Sequence, residues 1–489
     1  MNGLFADIAL MAPEIILAVG TMALMIVGAY GKGGAFRAVT TLSVLLWAAA
    51  GAYVWISSGE PVVRLFNDSI IIDQFARVAK TLITFGSIAA LLIALADLKG
   101  TIMARFEYPV LMSFATLGMY LMVSANDLLM LYMGLELSSL SLYVLAAFNR
   151  NSSASSEAGL KYFVLGAISS GLILFGASLL YGFTGSLQFD IIGATANVVS
   201  IPGPAPVIVT FGMVLILAGM TFKVAAVPFH MWTPDVYDGA PTSVTAFFAI
   251  VPKLAALALM ARLLAGPFGG LIHDWQPILS FMAVASMIVG GFAAIVQTSL
   301  KRLLAYSSIS NVGYALVGLA IGTKAGMASV LVYMTIYMVS TIGVFGIILM
   351  LRRDGFGISK IADLSGLSRT RPGMAYALAG LMFSYSGIPP LAGFFGKLAV
   401  FQAAVAAHAY VLAVIGVVTS VVAAWYYINI IRVMFFETGE EGSQANVTYT
   451  RSLPGLAMVT LSIAFVALFI FMPAPLNALA VSATTSLLP

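Results

Sequence analysis

Runs of about twenty mostly apolar residues follow one another along this chain with only short polar breaks between them, and one such run spans a bilayer core of ~30 Å as a helix. That ruler predicts fourteen spans: 9–30, 35–57, 70–96, 108–125, 127–148, 159–182, 206–230, 239–265, 275–298, 302–322, 326–351, 373–402, 406–436 and 453–473. The expected fold class is an all-α polytopic membrane protein. Its longest polar connections are 352–372 and 437–452, too short for an extramembrane domain. Composition agrees: 61% of the 489 residues are hydrophobic and 9% charged, where a soluble domain carries about 25% charged residues.

Several chemistries are excluded early. There is no cysteine, hence no disulfide, no cysteine-ligated cluster and no thiol nucleophile. The three histidines, His230, His273 and His408, lie far apart in sequence. The net charge of +4 comes with basic residues in short loops, not in a stripe, so no nucleic-acid partner is expected. The amino terminus has no Lys or Arg before its first apolar run, unlike a cleavable signal, so the first span is expected to be retained.

Sorting the 23 basic residues by position is more informative. Fourteen lie in the odd-numbered loops: Lys32, Arg37, Lys99, Arg105, Arg150, Lys301, Arg302, Arg352, Arg353, Lys360, Arg369, Arg371, Arg432 and Arg451. Five lie in even loops or adjoining span ends: Arg64, Arg77, Lys80, Arg262 and Lys324. The positive-inside bias then puts the odd loops in the cytoplasm and both termini outside. The remaining four, Lys161, Lys223, Lys253 and Lys397, fall inside spans, as does Glu136.

Lys161 lies near a span end, where a lysine can snorkel. The other three lysines and Glu136 lie deeper. At bilayer depth these four would cost on the order of 10–14 kcal/mol, so they must face protein or water. Burial disfavours the charged form of either residue type, which lets such groups gain and lose protons. Intramembrane ionisable residues of this kind mark proton relays.

Two spans also carry helix breakers. One reads Phe222-Lys223-Val224-Ala225-Ala226-Val227-Pro228-Phe229-His230, the other Ser386-Gly387-Ile388-Pro389-Pro390-Leu391-Ala392-Gly393-Phe394-Phe395-Gly396-Lys397. Proline removes a backbone donor, and unwound backbone at membrane depth survives only beside protein or a water-filled cavity. Lys223 precedes its proline by five residues whereas Lys397 follows Pro390 by seven, so the two motifs are not copies residue for residue. His230 lies where the seventh span meets the basic face and titrates near neutrality, making it a candidate inner entrance. Asp235 and Asp238 are placed to cap the eighth span. His273 and His408, at outer span ends, read as structural.

Phe222–Pro241 (FKVAAVPFHMWTPDVYDGAP) with Pro252-Lys253, Lys301–Asn311 (KRLLAYSSISN), Gly393–Lys397 (GFFGK) and the position of Glu136 resemble the proton-translocating antiporter-like subunits of respiratory complex I. The resemblance covers roughly residues 100–435. It implies about fourteen transmembrane helices, inverted five-helix repeats over spans 4–8 and 9–13, and broken seventh and twelfth helices. The corresponding division is 1–100 for an N-terminal three-helix segment, 101–265 and 266–436 for two antiporter-like halves, and 437–489 for the last loop and helix. It also implies that Glu136 and Lys223 form a coupled ion pair, that Lys253 connects the halves, and that Lys397 exchanges protons with the outer side. NADH, FMN, iron–sulfur clusters and quinone would belong to partner subunits, both membrane and hydrophilic, with no cofactor or metal in this chain. The location implied is the bacterial cytoplasmic membrane. A subunit of a multisubunit sodium/proton antiporter, a hydrogenase-type membrane arm and a purely structural scaffold stand as alternatives.

Overall fold

The structure is a computed structural model, and it describes residues 7–31, 34–56, 62–199, 206–437 and 447–487. The amino-terminal residues 1–6, Lys32 and most of the 437–452 connection lie outside the described residues. In chain order the long helices are α1 (Ala12–Tyr30), α2 (Ala35–Ile56), α3 (Gln74–Leu98), α4 (Glu107–Ser124), α5 (Leu128–Ala146), α6 (Ser153–Thr184), α7 (Val207–Val224) and α8 (Thr242–Ala265). They continue with α9 (Ile272–Ile295), α10 (Leu300–Ala320), α11 (Lys324–Met350), α12 (Pro372–Ser386), α13 (Ala392–Ala406), α14 (Tyr410–Phe436) and α15 (Leu453–Leu468). Twelve helices among the described residues are long and apolar enough to cross a membrane. The other two expected spans fall on α4, of 18 residues, and on the divided pair α12–α13.

Helix starts follow the local chemistry. A side-chain oxygen just before the helix accepts a backbone N–H that would otherwise be orphaned. Asp73 does this for α3, Asp127 for α5, Ser152 for α6, Ser299 for α10 and Thr323 for α11. Asp235 and Asp238 do not cap the eighth span as expected. They sit in a separate short helix, Trp232–Gly239, and α8 starts after Pro241 without a side-chain cap.

Both expected breaks are present. α7 ends at Val224, Ala225 turns left-handed (φ 64°), and helix resumes at Trp232 after a cis Val227–Pro228 bond. α12 ends at Ser386, Gly387 is left-handed (φ 82°), and α13 begins at Ala392 after a cis Pro389–Pro390 bond.

α11 forms the centre. All of Gly326–Met350 is buried, against α3, α8, α12, α13 and α15. Its contact with α15 is close: Ser462 Oγ donates to Val339 O at 2.7 Å, and a Cβ on Gly343 would lie 2.4 Å from Ser462 Oγ. Only hydrogen fits there, as small-residue contacts between membrane helices require.

Two small sheets close the ends. The hairpin of β1 (Val62–Leu65) and β2 (Ile70–Asp73) packs Leu65, Ile70 and Ile72 against Met11. In the 352–372 connection, β3 (Leu351–Arg353) pairs with both β4 (Phe356–Gly357) and β5 (Val447–Tyr449).

Three charges assigned from sequence to topology are buried instead. Lys80 forms an ion pair with Glu14, the two side chains 3% and 4% exposed. Arg262 grips Asp73 with two nitrogens, at 3.0 and 2.9 Å, and donates to Val123 O at 3.1 Å. Arg77 is buried as well. The set of charges within the fold is therefore larger than four lysines and one glutamate.

Candidate proton path

The first cluster forms where α5, α6 and the end of α7 meet. Glu136, Ser139 and Tyr143 recur at three- and four-residue spacing, which puts them on one face of α5. Lys223 reaches that face from the last turn of α7. Its Nζ donates to Ser139 Oγ at 3.0 Å, to Tyr143 OH at 3.1 Å and to Ser170 Oγ of α6 at 3.5 Å. The same Ser170 hydroxyl donates to Glu136 Oε2 at 2.7 Å. Glu136 and Lys223 are thus near neighbours without a direct ion pair, and one hydroxyl stands between them. The Tyr143 ring adds a cation–π contact, 5.6 Å from Nζ.

Lys253 follows Pro252 at the start of the second stretch of α8 and is 2% exposed. Its Nζ donates to Ser308 Oγ of α10 and lies 5.1 Å from the Tyr237 ring centre. Among the described residues no carboxylate pairs with it.

Lys397 sits on the second break. Its Nζ donates to Tyr385 O at 2.9 Å, Ser386 O at 3.2 Å and Ser420 Oγ at 2.7 Å, with the Tyr314 ring 5.0 Å away. The two carbonyls belong to the last turn of α12, where backbone oxygens lack helical partners and the helix dipole is negative. A break at this point therefore supplies two backbone carbonyls to the cation seat, which the Ser420 hydroxyl and the Tyr314 ring complete. Gly387 makes room for it: a Cβ there would lie 3.0 Å from Lys397 Cδ, on a backbone already left-handed.

Between Lys253 and Lys397 lies a set of hydroxyl and amide groups. Ser307 Oγ is 2.5 Å from Tyr427 OH, and Asn311 Nδ2 donates to Ser307 Oγ at 3.3 Å. Tyr333 OH donates to Asn311 Oδ1 at 2.6 Å, and Thr341 Oγ1 is 2.7 Å from Tyr385 OH. Asn311, Tyr333, Tyr337, Tyr385 and Lys397 line a cavity of about 10 Å³, close to the minimum that admits one water. Ser307, Ser308 and Asn311 were visible as polar residues within the KRLLAYSSISN motif. Tyr237 lies within the Phe222–Pro241 motif, whereas Ser170, Tyr333, Tyr385 and Tyr427 carried no sequence signal of their own.

His230 lies in the segment between the two pieces of the seventh span. It is half-buried, its Nδ1 has no hydrogen-bond partner, and no contact joins it to Lys223. Lys161 has a different setting from the deep lysines. It is half-exposed and pairs with Glu157 and Asp235, both at 2.8 Å, while Arg302 holds the other oxygen of Asp235 at 2.9 Å. The hydrogen bond from Lys161 keeps the Asp235 carboxyl below the usual carboxylate range. His408 bonds Tyr410 OH at 2.8 Å.

Broken helices with a lysine at each break, in an otherwise apolar bundle, are the architecture of an antiporter-like membrane subunit. A protein family described as "NADH:quinone oxidoreductase/Mrp antiporter, TM" matches residues 125–423. NADH-quinone oxidoreductase subunit N of Parvibaculum lavamentivorans is 50% identical over 98% of this chain and 97% of its own length. A chain of respiratory complex I from Thermus thermophilus, solved with bound aureothin, superposes with a TM-score of 0.80 at 32% identity, covering 96% of this chain and 99% of that one. A chain of the Mrp complex from Dietzia shares the fold, with a TM-score of 0.78 at 22% identity over 99% of this chain and 96% of that one. The chain belongs to this family and, within it, groups with subunit N of NADH-quinone oxidoreductase.

Proposed function

We propose that this chain is a proton-translocating subunit in the membrane arm of an NADH:quinone oxidoreductase. Partner subunits, membrane and hydrophilic, carry NADH, FMN, the iron–sulfur clusters and quinone, and the chain lies in a bacterial cytoplasmic membrane with both termini outside. The observation that supports this best is the seating of Lys223, Lys253 and Lys397 on hydroxyl, carbonyl and aromatic groups, with Glu136 one hydroxyl from Lys223.

The chemistry follows from those contacts. With Glu136 ionised and Ser170 between them, the carboxylate favours the charged form of Lys223. A shift of α5 against α6 and α7 removes that support, and the proton moves toward Lys253 through hydroxyls and water. Among the described residues Lys253 has only Ser308 and the Tyr237 ring to hold its charge, so it suits a relay better than a store. Lys397 rests on two carbonyls at the end of α12, so a rearrangement of the break changes what holds its proton. Conformational coupling requires the driving signal to act differently on the two states.

The test is Lys223→Ala in the assembled complex, reconstituted in vesicles. NADH oxidation without full proton pumping is expected. Retention of both, in an intact complex, would end the relay assignment. Sodium-dependent transport without NADH oxidation by the associated complex would favour the sodium/proton antiporter reading instead.

A further inference from the structure

On the basic-loop side of the bundle, the ends of α4, α5 and α6 leave a cleft of about 780 Å³, and two of its apolar lining residues, Val144 and Phe163, are exposed on the helix surface. Phe106, Val110, Phe114, Phe148 and Phe163 are among the residues that wall it. At its mouth stand two charges of opposite sign, Glu107 and Arg150. Among the described residues, Glu107 Oε2 is buried and has no hydrogen-bond partner. The Arg150 side chain is exposed and makes no ion pair with any described residue. At its deep end the cleft meets Tyr143, the residue whose hydroxyl accepts from Lys223.

We propose that this cleft binds an aminophospholipid such as phosphatidylethanolamine. The aromatic wall takes an acyl chain, Arg150 takes the phosphate, and the Glu107 carboxylate takes the ammonium. The volume lies within the range of small-molecule sites, about 300–1,000 Å³. A partner helix some 10 Å across and three turns long would displace more than about 1,000 Å³, which makes an acyl chain the better fit. The carboxylate at the mouth selects against a purely anionic headgroup. A bound chain would lie against Tyr143 and keep stray water off the Lys223 cluster from the membrane side. The lipid site stands on the cleft alone; its effect on pumping rests on the relay reading.

The test uses the whole complex, extracted in mild detergent, with its tightly held lipid measured by native mass spectrometry. Phosphatidylethanolamine is expected to copurify with the parent complex. Glu107→Gln and Arg150→Gln, which leave the apolar wall intact, are each expected to lower its occupancy by roughly three- to fivefold, the upper range for a partly exposed charge contact. Dioleoylphosphatidylethanolamine, but not dioleoylphosphatidylglycerol, should restore occupancy after delipidation. Equal phosphatidylethanolamine in parent and variants, or preferential retention of phosphatidylglycerol, would overturn the proposal. So would a photo-crosslinker at Val144 that captures a neighbouring protein chain and no lipid. Lost occupancy with unchanged pumping would leave the lipid site standing and fault only its link to Lys223.

Discussion

Replacing Ser170 with alanine removes one oxygen and almost no volume from a buried position, so the helix packing should survive. The electrostatic effect is larger than the steric one. Ser170 Oγ donates to Glu136 at 2.7 Å and accepts from Lys223 at 3.5 Å, so it is the group through which the two communicate. A hydrogen bond to a charged group contributes roughly 1.5–3 kcal/mol, and each 1.4 kcal/mol is about a tenfold change in an equilibrium. The balance between coupled and uncoupled arrangements should therefore move by about one to two decades. Lys223 keeps Ser139 and Tyr143, whereas Glu136 loses the one hydrogen bond described for it. The assay is NADH-driven proton uptake in proteoliposomes, scored per NADH oxidised, for Ser170→Ala and Ser170→Thr. The alanine variant should oxidise NADH in an assembled complex but pump fewer protons, and threonine, which keeps the hydroxyl, should recover most of the loss. A parental proton ratio in Ser170→Ala would refute the idea that a hydroxyl bridge couples Glu136 to Lys223.

Other perturbations probe different parts of the structure. Gly387→Ala puts a side chain on left-handed backbone, at ~1–2 kcal/mol, and its Cβ meets Lys397; pumping should drop with assembly retained, and a normal proton ratio would argue against the α12 seat. Lys80→Met strands Glu14 in the core and should destabilise the extracted complex by about 3–5 kcal/mol, seen as a lower melting temperature; adding Glu14→Gln should return much of it, and equal losses in single and double variants would mean the pair is not coupled. Asp235→Asn should cost no more than about 1 kcal/mol, because its partners Lys161 and Arg302 are partly exposed. Its folded carboxyl titrates below the unfolded value, so this contribution holds above the ordinary carboxylate pKa and fades only as pH falls through the folded one. Melting curves of parent and Asp235→Asn should differ by the same amount at pH 6 and pH 8 and converge in acid.

Spans and breaks were legible in the sequence because both rest on backbone rules. Twenty apolar residues fit a bilayer, and Pro228, Pro389 and Pro390 interrupt hydrogen bonding wherever they fall. The deep lysines were legible too, since charge in an apolar run is costly enough to stand out. The two buried ion pairs were not. Lys80 lies six residues into α3 and Arg262 three residues from the end of α8, a depth at which a long side chain could also reach an interface. Only the packing of Glu14 and Asp73 against them shows that neither does. The Ser, Thr and Tyr residues between the lysines were the least legible of all. A hydroxyl in a membrane helix can satisfy itself on its own backbone, as Thr335 and Thr341 do. Its presence in a run therefore says nothing about which partner it meets across the helices.

The burial of α11 has a consequence particular to this solvent. In water, a helix hidden on every side is held inside by its aversion to the medium. In a bilayer its neighbours and the lipid tails are equally oily, and no such aversion operates. α11 is kept central by contour: the notch at Gly343 that admits Ser462, and the hydroxyl of Ser462 resting on Val339 O. The outer helices then act less as a shield than as a mould, setting the shape of the axle against which the helices carrying Lys253 and Lys397 pack. Stripping away α15 would remove that notch contact and leave α11 held by its hydrogen bonds to Asn311 and Tyr385 and its packing on the other helices.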